Sequence, residues 1–99
     1  EISLMQIISY SGEARSLCFE ALQSYRDGDK EAGRKQYKDA EENLYTAKRA
    51  HSRILKQSAN GEFDQISLLM VHAEDQMMAS EIIYQMTREL FHCMSETKG

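Results

Sequence analysis

Along most of the chain apolar residues return every three or four positions, the period of a helix that buries one face. Between Ile2 and Arg26 that face gathers Leu4, Ile7, Ile8, Ser11, Gly12, Arg15, Cys18, Phe19, Leu22 and Tyr25. Between Lys30 and Lys56 it gathers Gly33, Tyr37, Ala40, Leu44, Ala47, His51, Ile54 and Leu55. The opposite side of this second segment carries Glu31, Lys35 and Asp39, alternating in sign at i,i+4 spacing. Such a run is an ordinary solvated face, worth a few tenths of a kcal/mol per pair. Two places end a helix. Asp27-Gly28-Asp29 offers a C′ glycine followed by an N-cap aspartate, and Asn60-Gly61 lies in a polar stretch, Gln57 to Asp64, where the period lapses. The pattern predicts helices over 2–26, 30–56 and 65–96. At 1.5 Å per residue these are rods of roughly 40 Å, and short links between them force an all-α, antiparallel three-helix bundle.

The third segment carries more apolar surface than one bundle can cover. One stripe holds Leu68, Leu69, His72, Asp75, Gln76, Ala79, Ile82, Ile83, Met86 and Leu90. A second, at heptad spacing, holds Met70, Met77, Tyr84 and Phe91, with Ala73 beside it. Two stripes on one helix imply a further partner, most simply other copies of the chain.

Composition narrows the class. The 99 residues suit a single domain, 1–99; no proline and five glycines suit long helices rather than a sandwich or barrel. A net charge of −4 speaks against a nucleic-acid binder. No apolar run approaches the ~18 residues of a membrane span, and nothing resembles a signal peptide. The chain opens on Glu1, so residues upstream are expected. Cys18 and Cys93 have neither CxxC spacing nor the density of a disulfide scaffold, which points to a reduced, cytoplasmic protein.

Candidate chemistry lies in polar residues at apolar positions. His72 and Asp75, three apart on one helix face, stand among aliphatic neighbours. A carboxylate on a buried stripe costs several kcal/mol unless paired, protonated or metal-bound. A nucleophilic imidazole that accepts a phosphoryl group fits, as does a partial metal site, although HxxD supplies two ligands where a closed zinc site needs four. No GxSxG elbow, Walker A or dinucleotide loop occurs. Arg15 offers a planar fork to a carboxylate or a phosphoryl group, with a structural pair to an acidic neighbour as the first expectation. His92 is expected to face solvent. Both cysteines are expected to act as small core hydrophobes, Met70, Met77, Met78 and Met86 as core or seam packing, and Gly12 as a point of close helix approach.

These residues resemble a known family. Ile66-Ser67-Leu68-Leu69-Met70-Val71-His72-Ala73-Glu74-Asp75-Gln76-Met77-Met78 is similar to the histidine segment of the lactose/cellobiose-type enzyme IIA of the bacterial sugar phosphotransferase system. Ser11-Gly12-Glu13-Ala14-Arg15-Ser16-Leu17 resembles that family's SGxARSL segment, and the Gly28-Asp29 turn falls where the family turns. The resemblance spans nearly the whole chain. It implies a three-helix chain assembled as a homotrimer. It makes His72 the acceptor of a phosphoryl group from the histidine-containing phosphocarrier protein and its donor to a cysteine of enzyme IIB, with the sugar phosphorylated as it passes through the membrane enzyme IIC. It also places Asp75 near the threefold axis, where three copies hold a divalent metal, usually magnesium.

The chain departs from the family pattern in places. Glu74 stands where glutamine is common and Gln76 where histidine is common, and His51 takes a position near the active cleft usually filled by glutamine. None of the three removes the acceptor; they are compatible with a different sugar system or partner and leave the secondary contacts around it open. The alternative reading is a non-catalytic helical adaptor in which His72 and Asp75 form a buried structural pair.

Overall fold

The computed structural model describes residues 2–61 and 67–97. Three helices follow one another: α1 (Ile2–Arg26), α2 (Lys30–Ala59) and α3 (Leu68–Thr97). Their ends follow from capping chemistry. Gly28 takes φ +94°, a left-handed conformation in which a side chain would be strained. The Gly28 amide donates to the Tyr25 carbonyl at 3.1 Å and the Asp29 amide to the Ser24 carbonyl at 2.9 Å, the paired bonds of a Schellman C-cap. Asp29 then starts α2, its carboxylate accepting from the Ala32 amide at 3.1 Å.

At its other end α2 runs past the expected stop at Lys56, because the polar residues Gln57 and Ser58 are acceptable in a helix. The helix ends where Gly61, at φ +76°, supplies the left-handed residue. The expected start of α3 at Gln65 lies outside the described residues. Within them the helix begins after Ser67, whose hydroxyl accepts from the Met70 amide at 3.1 Å. A cap of this kind contributes about 1 kcal/mol.

The chain goes up, down and up. Tyr25 and Ser95 hydrogen bond at 2.9 Å, so α1 and α3 run in the same direction, and Arg53 of α2 donates to Gln6 at the start of α1 at 2.9 Å. Most of the packing joins α1 to α2; α1 also backs α3, whereas α2 and α3 meet sparingly. The molecule is a rod of 56 × 18 × 18 Å, with a radius of gyration of 15.9 Å against ~13 Å for a compact 100-residue domain.

The core is made of small side chains. Ser11, Ala14, Cys18 and Ala21 of α1 face Gly33, Ala40, Ala47 and Ala50 of α2, with Leu4, Ile7, Leu44 and Ile54 filling the wider places. Helix axes can approach closely only where such residues meet. Gly33 marks the tightest point: a Cβ there would lie 3.0 Å from the Ala21 carbonyl oxygen and 3.0 Å from the Tyr25 ring. Gly12, expected to serve this purpose, does not; the nearest group to an added Cβ is the Arg15 guanidinium at 3.8 Å. Two other expected core residues are outside, Phe19 at 57% exposure and Leu55 at 56%, their buried neighbours Cys18 and Ile54 holding the places in the seam. Toward the C-terminal ends of α1 and α3 the packing turns aromatic. Tyr37 stacks on Tyr84 with ring centroids 4.7 Å apart, and Phe91 meets both Tyr25 and Tyr37.

The two cysteines part company. No disulfide joins them; Cys18 is buried, while Cys93 is exposed and so is no core hydrophobe. Burial pushes the Cys18 thiol up, and the hydrogen bond with Thr87 opposes this only partly. A thiol that ionises less readily in the folded chain contributes stability below its unfolded pKa, and that contribution is lost as pH rises. Between pH 7.5 and 9.5, across the ordinary thiol value of about 8.5, the urea midpoint is therefore expected to fall more in the wild type than in Cys18→Ala. Equal falls in the two proteins would overturn this expectation.

Candidate functional site on the third helix

The two stripes of α3 have opposite fates. Ala73, Met77, Ser80, Tyr84 and Thr87 are buried against the other helices. The stripe around His72 faces away from the bundle: Leu68 is 85% exposed, Ile82 57% and Met86 55%, and Leu69, Ala79 and Leu90 are exposed with them. His72 and Asp75 sit in the first two turns of this outward stripe, both exposed. Gln76, one turn beyond His72, is half-buried. A contiguous apolar surface of this length, broken by one imidazole and one carboxylate, is what protein partners cover.

No hydrogen bond or ion pair joins His72 to Asp75, and neither is buried within the chain. The buried structural pair of the adaptor reading is therefore not formed: the helix turns this face to solvent because Ala73 and Met77, not His72, point at α1 and α2. The desolvation cost of Asp75 arises only when another molecule covers the stripe.

The other candidates lie elsewhere. His51, half-buried on α2, holds Glu74 of α3 through Nε2, at 2.7 Å and 2.9 Å from the two carboxylate oxygens. The pair stands at the mouth of an apolar cleft of about 260 Å³ lined by residues of all three helices, Leu4, Ile54 and Met70 among them. Glu74 was legible only as a departure from a pattern; a projection of one helix cannot give the register between two.

Arg15 has no acidic partner among the described residues. Its guanidinium donates to Ser80 Oγ at 2.9 Å, and that hydroxyl donates to the Ser11 carbonyl at 2.7 Å. The expected ion pair is replaced because small hydroxyl residues occupy the α1–α3 seam where an acid would not fit. Ser80→Ala is expected to destabilise the fold by about 1 kcal/mol, since it removes the Arg15 guanidinium's partner on α3 and the second of two bonds to the Ser11 carbonyl, which keeps its bond within α1. Thermal unfolding would show this, and a change below about 0.5 kcal/mol would mean the network is energetically idle.

His92 is exposed, beside Arg88, Phe91 and Ser95. Near the middle of α3 the Tyr84 hydroxyl donates to Glu41 at 3.0 Å and accepts from Arg88 at 3.2 Å. Burial and the contact with Tyr84 push the Tyr37 phenol well above its usual range, so this cluster stays neutral at Tyr37 through the physiological range. It packs the helices rather than serving chemistry. Among the described residues no three His, Cys, Asp or Glu side chains come together as a metal cage. Asp75 thus belongs to no such group within one chain.

The family model described as "PTS system, Lactose/Cellobiose specific IIA subunit" matches residues 2–95. The chain belongs to this family. It is a lactose/cellobiose-type EIIA component of a sugar phosphotransferase system, and so a phosphotransferase component. The Lichenan-specific phosphotransferase enzyme IIA component of Bacillus subtilis (strain 168) is 34% identical over 99 residues, covering 97% of this chain and 90% of the relative. A lactose-specific EIIA component of Staphylococcus epidermidis is 29% identical over 92 residues, covering 91% of this chain and 88% of the relative. Among solved structures, the PTS cellobiose specific enzyme IIA of Bacillus anthracis superposes with a TM-score of 0.92 at 28% identity, covering 99% of this chain and 90% of that one. No helix of the described residues is long and apolar enough to cross a membrane.

Proposed function

We propose that this EIIA component carries a phosphoryl group on His72, taking it from the histidine-containing phosphocarrier protein and giving it to a cysteine of enzyme IIB, for a lactose/cellobiose-type sugar that enters through enzyme IIC. The observation that carries the reading is the placement of His72: an exposed imidazole, with no hydrogen bond or ion pair among the described residues, near the start of the outward apolar stripe of α3. A neutral imidazole has one nitrogen with a lone pair and one that keeps its proton. The lone pair attacks the phosphorus of the donor phosphohistidine as the donor's N–P bond breaks, and the proton on the second nitrogen stays. In the next step a cysteine thiolate of enzyme IIB attacks the phosphorus, and the bond to His72 breaks in line.

Such transfers depend chiefly on positioning and on neutralising charge. Gln76, at i+4 from His72, is placed on the helix to hydrogen bond the ring or the phosphoryl oxygens. Arg15 acts at a remove, joined to α3 through Ser80. The apolar neighbours Leu68, Leu69 and Ala79 would shield the labile phosphohistidine once another protein covers them.

The same exposed stripe supports a cytoplasmic homotrimer in which three α3 helices cover one another. Asp75 from each copy would then supply oxygen ligands to a divalent cation such as magnesium, whose part is to neutralise clustered carboxylates. The transfer itself passes through His72 alone. Incubation with radiolabelled phosphoenolpyruvate and the two general phosphotransferase proteins tests the reading: acid-labile, base-stable label on this chain is expected, and an unlabelled chain would defeat it.

A further inference from the structure

The geometry points to the His51–Glu74 contact as a positioning clasp that fixes the turn of α3 bearing His72; this rests on His72 being the phosphoryl acceptor. Glu74 lies two residues from His72 and points to the other side of the helix, so the contact grips α3 from behind while His72 faces out. Grip from this side is otherwise thin. α2 and α3 meet sparingly, and behind the first turns of α3 the gap between them is the apolar cleft of about 260 Å³. At this end only Ala73 and Met77 of α3 are fully buried. Farther along, α3 is tied to α2 by Lys48–Glu81 at 2.9 Å, by Tyr84–Glu41 at 3.0 Å and by the stacked tyrosines. His51–Glu74 is thus the polar bridge at the end where α3 begins, and its single nitrogen spans both carboxylate oxygens. Without it, α3 can tilt into the cleft about its aromatic end, which displaces His72 most. Misplacement of a reacting atom by ~1 Å costs up to ~100-fold in rate.

The test is single-turnover phosphorylation of the full chain by phosphorylated carrier protein, with amide hydrogen exchange in parallel. Glu74→Ala and His51→Ala are each expected to slow the saturated transfer rate about tenfold or more at an unchanged half-saturating carrier concentration. Amides of residues 71–76 should exchange about tenfold faster, and those of 84–91 as in the wild type. Glu74→Gln keeps an acceptor oxygen for Nε2–H and should stay within about threefold of wild type. The double alanine variant should be no slower than the slower single one, as for two ends of one contact. Glu81→Ala, which breaks the neighbouring bridge, should transfer within about twofold of wild type and so separates positioning from general tethering. Helical content should not change, both side chains lying at the rim; should Glu74→Ala fail to fold, His51→Gln and Glu74→Gln against His51→Ala decide the matter. Wild-type rates in both alanine variants, a defect confined to half-saturation, or Glu74→Gln as slow as Glu74→Ala would each overturn the clasp. An unlabelled wild type would instead defeat the reading of His72 itself.

Discussion

Replacing His72 with glutamine is expected to remove phosphoryl labelling altogether, a loss of at least about 1,000-fold that is limited by detection. The amide keeps a hydrogen-bonding group of similar reach but has no lone pair basic enough to attack phosphorus, so the nucleophile disappears and nothing replaces it. The variant should fold as the wild type does. His72 is exposed and its side chain makes no hydrogen bond or ion pair among the described residues, and substitutions at such positions usually change stability by less than about 0.5 kcal/mol. Circular dichroism and the unfolding midpoint should therefore superpose while the label vanishes. Two histidines remain in the variant. His51 is engaged with Glu74 and His92 lies at the far end of α3, so label surviving in His72→Gln would move the acceptor to one of them.

The second large effect concerns assembly. In the homotrimer, Asp75 of three copies would meet on the axis, and carboxylates a few ångströms apart in a low-dielectric interior repel strongly. A divalent cation relieves the repulsion; without it some carboxylates take up protons. Removing every buried charge at once is often neutral or stabilising by about 1–4 kcal/mol. Asp75→Leu is therefore expected to hold its trimer, to unfold at the same or a higher temperature, and to ignore chelator, whereas the wild-type midpoint falls when chelator is added. Label on His72 should persist. Light scattering and thermal unfolding with and without chelator decide it. A wild type indifferent to chelator, beside an Asp75→Leu protein that falls into monomers, would mean that the carboxylate makes a specific structural bond instead.

Helix number and order were legible because three long stretches keep a 3.6-residue period and because the residues that interrupt them, Gly28 and Gly61, have the conformational freedom that a C-cap requires. The N-cap of α3 at Ser67 was not legible, since a serine ahead of an apolar run has no mark that separates it from the other serines nearby. That α3 carries two stripes was also visible, but not which of them the bundle keeps. Projection treats Leu, Ile and Met as the residues to bury, whereas the closest packing selected Ala73, Ser80 and Thr87 and left Leu68, Ile82 and Met86 outside. The same preference for small groups put Ala14, Ala21 and Ala50 in the core and Phe19 and Leu55 at the surface. At the site, single residues could be named but not joined: Glu74 with His51 and Ser80 with Arg15 depend on the offset between helices, which no one helix records.

A core of alanine, serine, cysteine and glycine also sets how the sequence can drift. In a core of leucines the harmful changes are truncations, which open cavities. Here most interior side chains have little to lose, and the harmful changes are enlargements. At Gly33 an added methyl group meets the Ala21 carbonyl oxygen and the Tyr25 ring at 3.0 Å, and at the fully buried Ala14, Ala21, Ala40 and Ala47 added volume has to be taken up by shifts of the packed helices. Exchanges among the smallest residues are therefore the changes these positions are expected to tolerate best. The larger apolar side chains that stand on the surface, Leu68, Ile82 and Met86 among them, are instead free to change with whatever protein covers them.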